Sequence, residues 1–208
     1  MDIHSFYSFF QARFRAQRMK RFDRYFREAT GQRVLDIGGT PSIWRFSSSR
    51  FQVTLLNLQE SDGRSEGSDL EYVSGDALTL PFSDNHFDIA FSNSVIEHVG
   101  GYAEQRVFAE EARRVAHRVW VQTPARWFPV EPHFLALCTH YLPKKWQPRI
   151  VRWCSIWGWL TRPSRELARN AVFTTRLLTK REMRQLFPDC RLLTERFCLL
   201  PKAYIAVR

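Results

Sequence analysis

Arg33-Val34-Leu35-Asp36-Ile37-Gly38-Gly39-Thr40-Pro41-Ser42 is a short apolar run holding one acid, then two glycines, then a helix start. Val34, Leu35 and Ile37 predict a buried strand of the kind that parallel sheets favour. Gly38 and Gly39 let the backbone turn sharply and let a ligand approach with no Cβ in the way. Thr40 reads as an N-cap and Pro41 as the first helical residue, where a missing N–H costs nothing. Strand, glycine turn and helix start together make a ligand cradle at the carboxyl edge of a sheet. A plain strand–helix connection has the same local pattern, so the neighbourhood decides between them.

The neighbourhood favours the cradle. Residues 51–57 predict a second strand ending in Asn57, about twenty residues past the glycines, where adenosine-binding folds place a group for the ribose hydroxyls. Residues 72–77 read as a short third strand that runs through Gly75 to Asp76 and Ala77. Leu80-Pro81-Phe82 and Asp84 form a turn, and residues 87–92 read as a fourth strand. That strand leads into Asn93 and then Ser94-Val95-Ile96-Glu97-His98-Val99. Polar residues at four successive strand ends are the layout of a doubly wound sheet with a ligand across its carboxyl edge.

This ordered set resembles the class I S-adenosylmethionine-dependent methyltransferases. Within them it is similar to the small bacterial type, the methyltransferase type 11 group that includes quinone-biosynthesis methyltransferases. The matching residues are 34–39 for the first motif and Gly75-Asp76-Ala77 for the adenine-side motif, followed by residues 80–82, 87–88 and 94–99. The resemblance covers about residues 30–124. It implies an α/β, Rossmann-like doubly wound sheet of about seven strands, mostly parallel with an antiparallel C-terminal strand and helices on both faces. It implies S-adenosylmethionine as cofactor and S-adenosylhomocysteine as product, held by Asp36, Gly38, Gly39, Asn57, Asp76, Ala77 and Asn93. Two departures stand out. The family's glycine turn is usually Gly-x-Gly-x-Gly, and here Thr40-Pro41 replaces the later glycines. The ribose ligand is usually an acid, and Asn57 stands there without the charge that strengthens such bonds; Glu60 is the nearby alternative.

The remaining chain extends this plan. Residues 4–29 predict an N-terminal helix, with Phe6, Phe9, Phe10, Phe14, Tyr25 and Phe26 at near-helical spacing between arginines and lysines. Such a stripe packs on a sheet, caps a substrate or touches an anionic membrane. Gly31 ends it. Residues 102–118 predict a helix and residues 119–123 a fifth strand closed by Pro124. Thr179 and Glu182 form a capping box for a short helix that Pro188 closes, and residues 191–197 and 203–207 are the last two strands. The whole of residues 1–208 is then a single methyltransferase domain with an aromatic-rich insertion at about residues 125–175.

Substrate choice is expected in that insertion, which holds Trp127, Trp146, Trp153, Trp157 and Trp159 of the seven tryptophans. Apolar pockets with a few placed polar groups suit small molecules, and Glu131 and His133 are such groups. The same aromatics also suit a satellite core under a long loop, and residues 150–160 also read as an interfacial segment able to reach a lipid-soluble substrate. Methyl transfer from a sulfonium asks chiefly for alignment and exclusion of water, and for a base only where the acceptor loses a proton. His133, His98 and Glu131 are the expected catalytic residues, with Glu97 a further candidate. The acceptor pocket is expected between the end of the fourth strand (Asn93, Ser94, His98) and the loop 127–133.

Composition bounds the partners. The chain of 208 residues carries a formal charge of +10, concentrated in residues 11–33 and 144–184. Such a surface attracts RNA, anionic lipid or an acidic substrate, or is simply a solvated face. Specific nucleic-acid signals are thin: no RNP-like run, zinc finger or basic zipper appears. The Asn/Asp-Pro-Pro-Tyr of enzymes acting on base amines is replaced by Ser92-Asn93-Ser94-Val95. A small-molecule or lipid-linked acceptor is therefore expected, with an RNA methyltransferase and a non-catalytic S-adenosylmethionine-binding relative as alternatives and peripheral membrane contact left open. No signal peptide or spanning segment is read, so the expected location is cytoplasmic. Cys138, Cys154, Cys190 and Cys198 show no C-x-x-C pattern, and no metal is expected.

Overall fold

The computed structural model describes residues 3–29, 31–58 and 70–208, with side chains from Arg13 onward except that of Ala29. In chain order the elements are α1 (Ile3–Tyr25), β1 (Arg33–Ile37), α2 (Pro41–Trp44), β2 (Gln52–Asn57), β3 (Leu70–Ser74), β4 (Phe87–Asn93), α3 (Tyr102–Arg114) and β5 (Ala116–Pro124). Then come β6 (Val130–Glu131), β7 (Ala136–Leu137), α4 (Gln147–Cys154), α5 (Ile156–Thr161), α6 (Arg165–Phe173), α7 (Lys180–Leu186), β8 (Arg191–Phe197) and β9 (Leu200–Val207). The main sheet has seven strands in the order β3-β2-β1-β4-β5-β9-β8. The β1 pairings with β2 and β4 and the β2–β3 pairing are parallel, and β8 and β9 are antiparallel. This is the doubly wound architecture expected from residues 33–99.

Two compact units emerge, Met1–Asn93 with Glu111–Trp120, and Ser94–Glu110 with Val121–Arg208. In the first, Val34, Leu35, Ile37, Leu55, Leu56, Ile89, Ala90 and Phe91 are buried, as strands covered on both faces require. The edge strand β3 is the more exposed one and carries Glu71, a charge that discourages pairing with another sheet. The described part of α1 is a packing helix: Met19 and Phe22 are buried, as is Phe26 just past its end. Phe22 meets Phe26, Phe51, Phe91, Trp44 and Trp120 at ring separations of 4.9 to 5.9 Å. Removing such a ring typically costs about 3–5 kcal/mol. The side chains of Phe6, Phe9 and Phe10 lie outside the described residues. Asp23, on the same helix, accepts hydrogen bonds from the Ser47 hydroxyl and from the backbone N–H and hydroxyl of Ser48, fastening the loop after α2.

Several boundaries differ from the expectation. The helix after the glycine turn is a single turn; Thr40 does cap it by position but makes no side-chain capping bond, its hydroxyl instead lying 2.9 Å from that of Ser42. β3 ends at Ser74, so Asp76 sits in the following turn. There its backbone bridges Thr79, and its carboxylate accepts from the N–H of Leu78. α3 stops at Arg114 because that arginine turns back to bond the carbonyls of Leu80 and Phe82 and the carboxylates of Asp84 and Glu111. β5 accordingly starts three residues before the expected strand.

In the second unit, α7 opens with the expected capping box between Thr179 and Glu182. The insertion forms the β6–β7 pair and the helices α4, α5 and α6. Phe134, Ala136, Val151 and Val172 make a small core with Trp157 and Ala171 against it, which is the satellite core anticipated for part of the aromatic set. Trp127, Trp146, Trp153 and Trp159 stay exposed. No helix among the described residues is long and apolar enough to cross a membrane.

Candidate active site

β1 carries Asp36 to the carboxyl edge of the first unit, where it is fully buried. The indole N–H of Trp44 donates to its Oδ2 at 2.7 Å, while its Oδ1 has no hydrogen-bond partner among the described residues. Burial pushes the carboxyl up from its ordinary 3.8 to about 7, with the Trp44 hydrogen bond pulling the other way. The glycine turn follows. Gly38 has φ +71° and donates its N–H to the carbonyl of Leu56. A Cβ on Gly39 would stand 1.9 Å from Oδ2 of Asp36, so only glycine permits the acid and the turn to coexist.

The other expected cofactor residues gather around neighbouring strand ends. Asn57, at the end of β2, donates from Nδ2 to the Gly39 carbonyl at 2.9 Å, which ties the turn to β2. Glu60, the alternative ribose ligand, lies outside the described residues. Asp76 and Ala77 lie two and three residues past β3, and Asp76 is exposed. Asn93 closes β4 and accepts a hydrogen bond from the guanidinium of Arg18 of α1. Two participants escaped the sequence reading. Trp44 follows the glycine turn closely enough to have been suspected, but Arg18 reaches Asn93 across 75 residues with no local signal. The first unit's cleft beside Arg33, Gln52, Glu71 and Phe87 opens near the strand starts, away from these groups.

The second unit assembles the expected catalytic residues. Nε2 of His98 lies 3.0 Å from Nε2 of His133, and Nδ1 of His133 lies 2.6 Å from Oε1 of the buried Glu131. The other oxygen of Glu131 accepts the backbone N–H of Phe134, so this carboxylate is held in a tight turn with His133. Glu97 is fully buried, accepts from the Thr123 hydroxyl at 3.0 Å and places Oε1 3.8 Å from Nε2 of His133. The short 3-10 turn Ile96–His98 that presents Glu97 and His98 is braced on the same side of the chain. Gln105 donates to the carbonyls of Ile96 and Arg176, and the N–H of Arg176 donates to that of Glu97. Ser94 enters this turn at φ +60°, held by Gln122 through both its N–H and its hydroxyl.

The two imidazoles are driven apart in basicity. Loss of surrounding water, then the neighbouring His133, pulls His98 down to about 4. Burial opposes the charge on His133, but the hydrogen bond and charge of Glu131 and the charge of Glu97 outweigh it and raise His133 above its ordinary value. Glu131 thus orients His133, and the order of basicity makes His133 the donor and His98 the acceptor between the two Nε2 atoms. Glu97, His98 and His133, up to 36 residues apart in sequence, also bring their ligand-type atoms within 4.8 Å of one another. No spacing rule would have found that set.

Sheet order and strand directions are those of the class I methyltransferases. Residues 48–118 match the family model described as "Methyltransferase domain". Solved structures agree in fold. The magnesium protoporphyrin IX methyltransferase of Synechocystis PCC 6803, with bound S-adenosylhomocysteine, is 12% identical with TM-score 0.56, covering 93% of this chain and 83% of that one. The 1,6-didemethyltoxoflavin-N1-methyltransferase of Burkholderia thailandensis is 12% identical with TM-score 0.57, covering 94% and 76%. A phosphoethanolamine N-methyltransferase 2 of Haemonchus contortus, in complex with S-adenosyl-L-methionine, is 17% identical with TM-score 0.57. It covers 87% of this chain, which spans 38% of that longer one. Among curated proteins, no sequence matches. The fold is thus that of solved S-adenosylmethionine-dependent methyltransferases, and residues 48–118 match a methyltransferase-domain model.

Proposed function

We propose that this protein transfers the methyl group of S-adenosylmethionine to a small-molecule or lipid-linked acceptor. The observation that carries the cofactor reading is Asp36: a buried acid at the carboxyl edge with one oxygen partnered and the other not, above a turn that a Cβ would fill. A ligand ammonium is the natural partner for such an oxygen. Asp36, Gly38 and Gly39 would hold the amino-acid end of the cofactor. Asn57 would offer its amide oxygen to the ribose, Asp76 and Ala77 would flank the adenine, and Asn93 would close the edge. When bound, the cofactor supplies an electrophilic methyl on a sulfonium that is already a good leaving group.

The acceptor side is read at Glu131, His133 and His98. In its neutral form His133, oriented by Glu131 through Nδ1, would take the acceptor's proton on Nε2, with His98 beside it at the exposed edge. Structural neighbours support a small acceptor, since their names speak of a porphyrin, a toxoflavin precursor and phosphoethanolamine. A lipid-linked one is supported by the surface of α4, α5 and α6. Trp146, Trp153 and Trp159 are 53%, 67% and 74% exposed there. Around them stand Lys144, Lys145, Arg149, Arg152, Arg162, Arg165 and Arg169, against the single acid Glu166. Exposed indoles among basic side chains suit an anionic lipid interface.

Labelled-methyl S-adenosylmethionine incubated with organic-extractable lipids, aqueous metabolites and RNA tests this. Label in the lipid fraction is expected, and His133→Ala is expected to lower it by about 10²–10⁴-fold while S-adenosylhomocysteine affinity stays near wild type. Label in RNA alone would overturn the acceptor reading.

A further inference from the structure

We propose that Glu97, His98 and His133 form a binding site for one divalent transition-metal ion of the zinc class. The inference goes beyond the methyl-transfer reading and does not depend on it, because binding of the ion requires neither cofactor nor acceptor.

The geometry is that of a ligand set already gathered. A tetrahedral zinc ion with nitrogen ligands at about 2.0–2.1 Å separates its donor atoms by about 3.3 Å. Here the two imidazole Nε2 atoms are 3.0 Å apart and the Glu97 oxygen is 3.8 Å from that of His133. All three donors lie within 4.8 Å of one another. Two imidazoles and a carboxylate suit zinc better than magnesium or calcium, which prefer oxygen alone. The supporting shell is also present. Glu131 bonds Nδ1 of His133, which leaves Nε2 as the metal-facing atom and strengthens it as a ligand. The Thr123 hydroxyl fixes one oxygen of Glu97, and the Arg176 N–H fixes its main chain.

Charge points the same way. Glu97 and Glu131 are both buried beside these imidazoles, and a cation offsets their crowding as well as a proton on His133 does. Three protein ligands with His98 exposed leave a fourth position open, the arrangement of sites that admit an outside ligand rather than of closed structural ones. With the ion bound, both Nε2 atoms are engaged. The ion and the proton between the two imidazoles are therefore alternative occupants of one cluster, and the metal-bound form would present a Lewis acid where the free form presents a base.

The test uses the full chain, stripped with chelator and alkylated at its free cysteines so that Cys138, Cys154, Cys190 and Cys198 cannot bind metal. Zn²⁺ alone is titrated calorimetrically, without cofactor or acceptor. One equivalent per chain is expected. His98→Asn and His133→Asn should lose it, and Glu131→Gln should weaken it by about 10–100-fold. His140→Asn, a histidine outside the cluster whose Nε2 meets the Arg126 carbonyl, should keep it. Co²⁺ on the unmutated chain should give the visible absorption of a tetrahedral ion, and Zn²⁺ should raise the unfolding temperature of the unmutated chain but not of His98→Asn. Absence of stoichiometric binding to the unmutated chain, or binding undiminished in both histidine variants, overturns the proposal. Failure of S-adenosylhomocysteine to bind would count against the methyl-transfer reading and leave this result standing.

Discussion

Asp36 is the residue on which the cofactor reading rests, and its acidity supplies a test. Its folded pKa of about 7 lies above the ordinary 3.8, so the fold favours the protonated form. Stability from this group is thus complete below about pH 4 and is lost as pH rises through 7. A ligand ammonium needs the ionised form, so binding should change in the opposite sense. The dissociation constant of S-adenosylhomocysteine is expected to fall about tenfold per pH unit below 7 and to level off above it. In Asp36→Asn the profile over that window should be flat and the affinity lower. Calorimetry at a series of pH values measures both, and an unchanged profile in the variant would remove Asp36 from the site. The acid itself was legible beside the glycines. Its partner Trp44 and the Arg18 that bonds Asn93 were not, because each meets its target through the folded chain rather than at a motif spacing.

Among the elements, the β8–β9 hairpin carries visible strain. Cys198 and Leu199 connect its strands with φ of +46° and +67°, and Leu199 is 86% exposed. Two-residue hairpin turns of this twist favour Asn-Gly, since side chains other than glycine cost roughly 1–2 kcal/mol each in the left-handed region. Leu199→Gly should therefore stabilise the protein by about 0.5–1 kcal/mol, read as a higher unfolding temperature; a lower one would show that Leu199 contributes packing. The insertion helices carry the other prediction at this scale. Replacing Trp153 and Trp159 with serine should reduce cosedimentation with anionic vesicles by about tenfold or more, and raised salt should reduce it further. Vesicle binding that the double variant leaves unchanged would place lipid contact elsewhere. The strands and the capping box at Thr179 were readable because burial on two faces and paired caps leave local patterns. The end of α3 was not, because Arg114 is turned back by the Leu80–Asp84 segment, far away in sequence.

At the scale of the whole molecule, the family match spans residues 48–118 and includes neither the glycine turn nor the insertion. The residues proposed for the cofactor fall in the first compact unit, and the Glu97–His98–Glu131–His133 cluster falls in the second. The residues proposed for the first group could be named from the sequence almost entire, since a doubly wound sheet puts polar groups at consecutive strand ends. The second was legible only as separate candidates; what joins them is the return of the chain after β5. The central claim is that the carboxyl edge around Asp36 and Gly39 binds S-adenosylmethionine. Calorimetric titration of S-adenosylhomocysteine into the wild type and Gly39→Val, with circular dichroism to confirm that the variant folds, tests it most directly. One saturable site in the wild type and none in the folded variant is the predicted result, whereas wild-type affinity in a folded Gly39→Val would contradict it.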